Sequence, residues 1–337
     1  PTTIKLSSRL RRYRMSVPIE ESKILVTGGT GMVGYALKWG YVYGNGIPNA
    51  IFISSKDYDL RDSDQVEAMF RKHNPEYVIH LAARVGGIKA NSDNAADFFY
   101  DNIMINTNVL HAAKNHGVKK LISLLSTCIY PNKISYPLQE KSIHDGEPHE
   151  SNFAYAYAKR MLDVQSRAYR KQYGCNFITV VLNNLFGEND NFHYEDSHVI
   201  PAMIRKIYEA KGNNEAITLW GDGSPLREFT YSGDLAEILL FLLKNYDGST
   251  PLNVGQTKEY SIRDVAHLIC GIANYDSSNI VWDTEKPTGQ LRKPSDNALL
   301  MELGWKDDNY TQFEIALQKT CDWFVKNYPN IRGVENK

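Results

Sequence analysis

Ile24-Leu25-Val26-Thr27-Gly28-Gly29-Thr30-Gly31-Met32-Val33-Gly34 is the stretch on which the fold of this chain turns. Its first four residues read as a short buried strand. Glycines at 28, 31 and 34 then permit a tight turn, close approach of a pyrophosphate to the backbone, and close packing of a following helix on the strand. A helix running from Tyr35 would point its positive N-terminus at that anion. The spacing differs by one residue from the usual dinucleotide fingerprint, so the rest of the chain has to support the reading. It does. Strand-like runs at residues 50–54, 77–81, 121–126 and 177–182 alternate with amphipathic stretches at 66–73, 102–116 and 158–173, each long enough for a crossover helix. The expected fold class is α/β, a Rossmann-type doubly wound parallel sheet.

Past Gly187 the alternation gives way to polar loops and a Gly- and Asn-containing run near Gly212, where a smaller lobe is expected to begin. Residues 229–245 read as a helix with Asp234 in its first turn, and 251–255 as a short strand rejoining the sheet. The expected organisation is a basic leader (1–20), a nucleotide-binding domain (21–187, with a return segment near 228–256), and an interleaved C-terminal substrate-binding lobe (188–227 and 257–332). The leader carries Lys5, Arg9, Arg11, Arg12 and Arg14 and no acid before Glu20, and Met15 is a candidate start within it. Residues 333–337 are expected to fray.

A net charge of -1 over 337 residues creates no long-range field, so nucleic acid is not an expected partner. No apolar run approaches the roughly 18 residues that a membrane span needs. Cys128, Cys175, Cys270 and Cys321 are widely spaced and have no close His or Cys companion, which points away from metal sites and disulfides and toward a reducing, cytoplasmic setting.

The second strand ends at Ser54-Ser55-Lys56, where an NAD enzyme would place an acid for the ribose hydroxyl. Lys56 can instead face a 2′-phosphate, with both serines as donors, so NADP is the expected cofactor. Tyr155 and Lys159, four residues apart, share a helix face, and an ammonium there favours the phenolate of a proton-donating tyrosine. Tyr157 lies on another face. If the chain stays extended after Ser126, Cys128 projects to the same side as that serine.

Glycine turn, Ser126, Tyr155 and Lys159 in this order resemble the extended short-chain dehydrogenase/reductase superfamily. The resemblance implies a pyrophosphate cradle at Gly28, Thr30, Gly31, Met32, Val33 and Gly34, with Asp59 and Leu60 at the adenine edge and Ala82 and Ala83 lining the dinucleotide. It further implies that Ser126 hydrogen-bonds the reacting oxygen, that Tyr155 supplies a proton while hydride arrives, and that Asn102 supports Lys159, unless Asn102 merely caps its helix.

Three segments, 126–131, 155–159 and 184–201, are similar to those of the GDP-L-fucose synthase family, bifunctional 3,5-epimerases and 4-reductases of GDP-4-keto-6-deoxy-D-mannose. That likeness implies Cys128 as base and His198 as acid, Asn184 at cofactor and sugar, and a diphosphate held by Arg205 or Lys206, by Arg227, and by Arg292 or Lys293. Trp220 packs on the base in this reading or belongs to the core. Leu182 and Asn183 stand where the family usually carries proline and threonine. Extended-type relatives are commonly homodimers through a helix pair. The rival readings are another nucleotide-sugar enzyme, either a 4-epimerase or a 4,6-dehydratase, and an NADP-binding sensor without turnover. The dehydratase would carry Asp-Glu where Thr127 and Cys128 stand.

Overall fold

The computed structural model describes residues 19–40, 47–194, 196–286 and 291–334; the basic leader through residue 18 lies outside the described residues. The first half runs β1 (Ile24–Thr27), α1 (Met32–Gly40), β2 (Ala50–Ile53), α2 (Ser63–His73), β3 (Tyr77–His80), α3 (Ile88–Asp93), α4 (Ala95–Asn115), β4 (Lys120–Ser126), α5 (Phe153–Tyr173) and β5 (Phe177–Leu182). The second half adds β6 (Asn184–Phe186), α6 (Val199–Asn213), β7 (Ile217–Trp220), β8 (Leu226–Tyr231), α7 (Ser232–Asn245) and β9 (Leu252–Val254). It finishes with β10 (Glu259–Ser261), α8 (Ile262–Ala273), β11 (Ile280–Asp283), α9 (Ala298–Glu302) and α10 (Phe313–Asn327).

Six strands form one parallel sheet in the order β2-β1-β3-β4-β5-β9. Every residue of β1, β3 and β5 is buried, because helices cover both faces and the strands must be apolar on each. The strand order reverses between β1 and β3, and in such sheets the crevice outside the carboxyl ends at the reversal takes the ligand. Gly28 stands at that point. The return strand β9 places the C-terminal half partly inside the same sheet, pairing with β5 through Val180, Val181 and Leu182.

The remaining strands make two small sheets, β10-β8-β6 and β11-β7, around a separate core that includes Phe186, Phe229, Val265, Phe313 and Phe324. Several boundaries depart from expectation. Helix α1 starts at Met32 rather than Tyr35, so Met32, Val33 and Gly34 form its first turn. Residues 229–231 are strand, not helix: they pair with β6, a tertiary contact that overrides a locally helix-compatible run. Gly212 lies inside α6, which ends at Asn214 in a left-handed conformation, so the Gly/Asn run marks a helix end and not a loop. Gly333 is tied down, its carbonyl accepting from Arg205 Nη1 at 2.9 Å.

Candidate active site

The glycine turn is built for close approach. Gly28 has φ +66°, and a Cβ there would lie 2.8 Å from the Ala82 nitrogen; one on Gly34 would lie 2.5 Å from the Gly29 carbonyl group. Only glycine lets strand, turn and helix pack this tightly. Thr30 is exposed, Gly31 and Met32 are partly exposed, and the Val33 side chain is in the core, so Val33 can offer an anion only its backbone N–H. Thr27 Oγ1 accepts from the Ala82 N–H at 3.3 Å and lies 2.8 Å from His80 Nδ1, which braces from beneath the segment of Ala82 and Ala83 expected to line the dinucleotide. A pyrophosphate fits this cradle.

The adenosine side is more complex than the sequence implied. Lys56 is exposed, with its side chain unengaged among the described residues, whereas Ser54 donates to the carboxylate of Asp57 at 2.6 Å. An acid therefore does fold back on the strand end. Asp59, the expected adenine-edge residue, is gripped by Arg61 at 2.7 and 2.9 Å, whose hydrogen bonds hold its carboxyl at about 2. Leu60 is buried in the core.

At the carboxyl end of β4 the chain does not stay extended. Ser126 caps a single turn of 3-10 helix, Thr127–Ile129, its hydroxyl oxygen facing the Cys128 N–H at 3.5 Å, so the turn rather than strand alternation brings the two residues together. Helix α5 packs on β4 and on this turn, which sets Tyr155 and Lys159 beside them. Lys159 Nζ donates to the Leu124 carbonyl at 3.0 Å and lies 5.8 Å from the Tyr155 ring centre. Burial pulls the Lys159 ammonium down to about 8, and the negative form of Cys128 opposes that shift. Burial, then Cys128, pushes the Tyr155 phenol well above its ordinary range. The Cys128 thiol is raised by burial and pulled back by the Ser126 hydroxyl, then by Lys293 and Lys159. These five groups thus form one electrostatic unit.

Asn102 departs from both expectations. It sits inside α4, fully buried, and neither caps the helix nor reaches Lys159. Its amide exchanges hydrogen bonds with the backbone of Arg84 at 3.1 and 3.0 Å. The Arg84 guanidinium lies over Phe98 at 5.0 Å, and Phe98 stacks edge-on with Tyr155 at 6.4 Å. Asn102 therefore steadies a wall beside the tyrosine.

His198 precedes α6 as its N-cap residue without a side-chain cap bond. It is solvent-accessible yet hemmed in by protein, and burial followed by the positive charge of Arg332 lowers its imidazole. The loop before it reaches the glycine turn, Asn189 Nδ2 donating to the Thr30 carbonyl at 2.9 Å. Asn184 is exposed at the start of β6 and donates to the Glu228 carbonyl at 3.0 Å. The start of the loop is thereby anchored to β8 and to the glycine turn, a link invisible to spacing arguments.

Among the expected cations, Arg205 is committed elsewhere: it bonds Glu209 at 2.8 Å and the carbonyls of Phe192 and Gly333 at 2.9 Å. That corrects its assignment as a free phosphate ligand and leaves Lys206, which is lowered by burial and has no partner among the described residues. Arg292 is likewise held, by Glu259. Lys293 is half-buried and feels Cys128 and Arg227, while Arg227 is partly buried and, among the described residues, donates only to the Leu226 carbonyl. Trp220 is 62% exposed and takes no part in the core.

The NAD dependent epimerase/dehydratase family matches residues 24–255. Over 322 residues, 94% of this chain and all of the relative, the chain is 43% identical to the GDP-L-fucose synthase of Dictyostelium discoideum. It is 34% identical to the GDP-L-fucose synthase of Escherichia coli K12, again over 94% of this chain and the whole relative. A crystal structure of a GDP-L-fucose synthetase from Naegleria fowleri bound to NADP superimposes with a TM-score of 0.88 at 42% identity, covering 94% of this chain and 96% of that one.

Proposed function

Because the chain belongs to the NAD dependent epimerase/dehydratase family, and within it to the GDP-L-fucose synthases, we propose that it converts GDP-4-keto-6-deoxy-D-mannose to GDP-L-fucose. It is an NADP-dependent enzyme with epimerase and reductase activity. The observation that carries the residue assignments is the unit of Ser126, Cys128, Tyr155, Lys159 and Lys293 at the carboxyl end of β4. The first turn of α1 and the Gly28–Gly34 cradle hold the pyrophosphate, with Lys56 facing the 2′-phosphate. NADPH, when bound, supplies the hydride for C4.

The 4-keto group acidifies the hydrogens at C3 and C5. Cys128, as thiolate, removes each in turn, and the negative charge that develops on the ketone oxygen is met by the Ser126 hydroxyl. Lys293 and Lys159 favour the thiolate against the cost of burial. His198 returns a proton on the opposite face. Its imidazole is lowered in the free protein, and a bound diphosphate restores the cationic form by opposing Arg332. Tyr155 then gives its proton to the C4 oxygen during reduction. Lys206, Arg227 and Lys293 neutralise the diphosphate, Asn184 contacts the sugar and nicotinamide, and Trp220 offers a face to the base.

The assembly in this reading is a homodimer in a reducing cytoplasm, with no nucleic-acid partner. Tyr100 on α4, and Met161 and Val164 on α5, are exposed apolar groups on two helices that pack together, and all four cysteines are free. Incubation with NADPH and the GDP-keto-sugar, followed by product analysis, tests the proposal. A 4-reduced sugar that is not epimerised at C3 and C5, or no NADPH oxidation at all, would count against it.

A further inference from the structure

Two glutamates stand directly opposite one another on neighbouring antiparallel strands, Glu228 on β8 and Glu259 on β10. Like charges in that register repel unless each finds its own partner. Both do, and on the same passing segment. Glu259 takes Arg292, with Nε 2.9 and 2.7 Å from its two oxygens. Glu228, only 2% exposed, accepts from the Ser295 N–H at 2.9 Å and the Ser295 hydroxyl at 2.6 Å. A third donor, Asn183 Nδ2, reaches Glu228 at 3.3 Å while its own oxygen accepts from Thr230 at 2.7 Å. The unusual residue before Asn184 therefore fills out the carboxylate's hydrogen bonds.

Between the two gripped positions lies Lys293, which has no hydrogen bond or ion pair among the described residues and feels Cys128 and Arg227. The far side of the segment is pinned as well, the Leu138 N–H donating to the Pro294 carbonyl at 2.8 Å. A flexible lysine gains nothing from such a frame unless its ammonium must be held in one place, since ordering a long side chain costs entropy. We propose that Glu228 and Glu259 are positioning residues, a two-point carboxylate clamp that holds the 292–295 segment so that Lys293 meets the substrate diphosphate beside Cys128. This rests on the reading of Lys293 as a diphosphate ligand.

A double-mutant cycle tests it on the full-length protein, reading NADPH oxidation with the GDP-keto-sugar. Lys293→Ala is expected to raise the KM for the sugar nucleotide about 100-fold, with a loss of kcat as well because Lys293 also favours the Cys128 thiolate. Glu259→Ala or Ser295→Ala should raise that KM about tenfold with kcat within about twofold, and all three should leave the KM for NADPH unchanged. In the Lys293→Ala background, Glu259→Ala and Ser295→Ala should add nothing further. If the clamp variants keep their full effect without Lys293, or lower kcat while sparing KM, the clamp does not act through Lys293 and is overturned alone. If Lys293→Ala itself leaves KM unchanged, the ligand reading falls and takes the clamp's purpose with it. Ser295→Ala keeps the buried Glu228 in place, so the test does not depend on a core carboxylate variant folding.

Discussion

Lys159 Nζ donates to the Leu124 carbonyl oxygen at 3.0 Å, tying the helix that carries Tyr155 to the strand that ends in Ser126. The bond fixes the ammonium near the phenol without neutralising it. Burial draws the ammonium down to about 8. A lysine with a depressed pKa is charged below that value and neutral above it, so its support for proton donation fades as pH rises. The kcat/KM for NADPH in the reductase reaction should therefore fall on the alkaline side with an apparent pKa near 8. A profile flat from pH 7 to 10 would remove Lys159 from this role.

In the proposed mechanism Tyr155 is the proton donor in reduction and only a bystander to hydrogen exchange at C3 and C5. Tyr155→Phe should cut the reduction rate about 10²- to 10⁴-fold while solvent deuterium still enters the keto-sugar. Equal loss of both activities would mean that the phenol serves the epimerase step too.

In the proposed mechanism Cys128 and His198 divide the opposite work. Cys128→Ala should abolish deuterium incorporation at C3 and C5 and change NADPH affinity by less than about twofold. Because burial raises the thiol, exchange by the unaltered protein should climb with pH as thiolate forms. Undiminished exchange in the alanine variant would exclude the cysteine.

The exposed apolar face of α4 and α5 gives a test of assembly. Met161→Glu combined with Val164→Glu places charge on that face without entering the core, and should convert a dimer to a monomer in light scattering while far-UV circular dichroism stays the same. An unchanged particle mass would place the interface elsewhere or show that there is none.

His80 makes folding pH-dependent. It is buried between Thr27 and Asn106, and burial, then the Lys159 charge, lowers its imidazole to about 3. The unfolded chain binds a proton near 6.5 and the folded one does not, so stability present above that pH is lost as pH falls toward 3. Between pH 6.5 and 4.5 the loss from this residue should approach about 2–3 kcal/mol in urea unfolding. No loss over that interval would show that the site admits the imidazolium.

Much of the site was legible because its signals are local. The Gly28–Gly34 turn, the four-residue step from Tyr155 to Lys159, and the bounds of β1 and β5 follow from periodicity and steric demand within a few neighbours. The strand over residues 229–231 was not, since its pairing with Asn184, Leu185 and Phe186 spans some forty residues of chain. Asn102 misled for a related reason: asparagine caps helices well, and nothing in its neighbourhood reveals that Arg84 claims its amide.

The sequence by itself determined the layered α/β plan, the dinucleotide turn and the four-residue step from Tyr155 to Lys159, because each depends on spacing along one element or one turn. The turn that sets Cys128 beside Ser126 and the packing of α5 on it came from the fold. Tertiary structure alone decided which of two adjacent cations is free: Arg205 is taken by Glu209 and the chain's end, Arg292 by Glu259, leaving Lys206 and Lys293 unpaired among the described residues. Neighbouring residues point to different sides of a helix or strand, so their fates are set by whichever distant carboxylate or carbonyl the fold brings to each side.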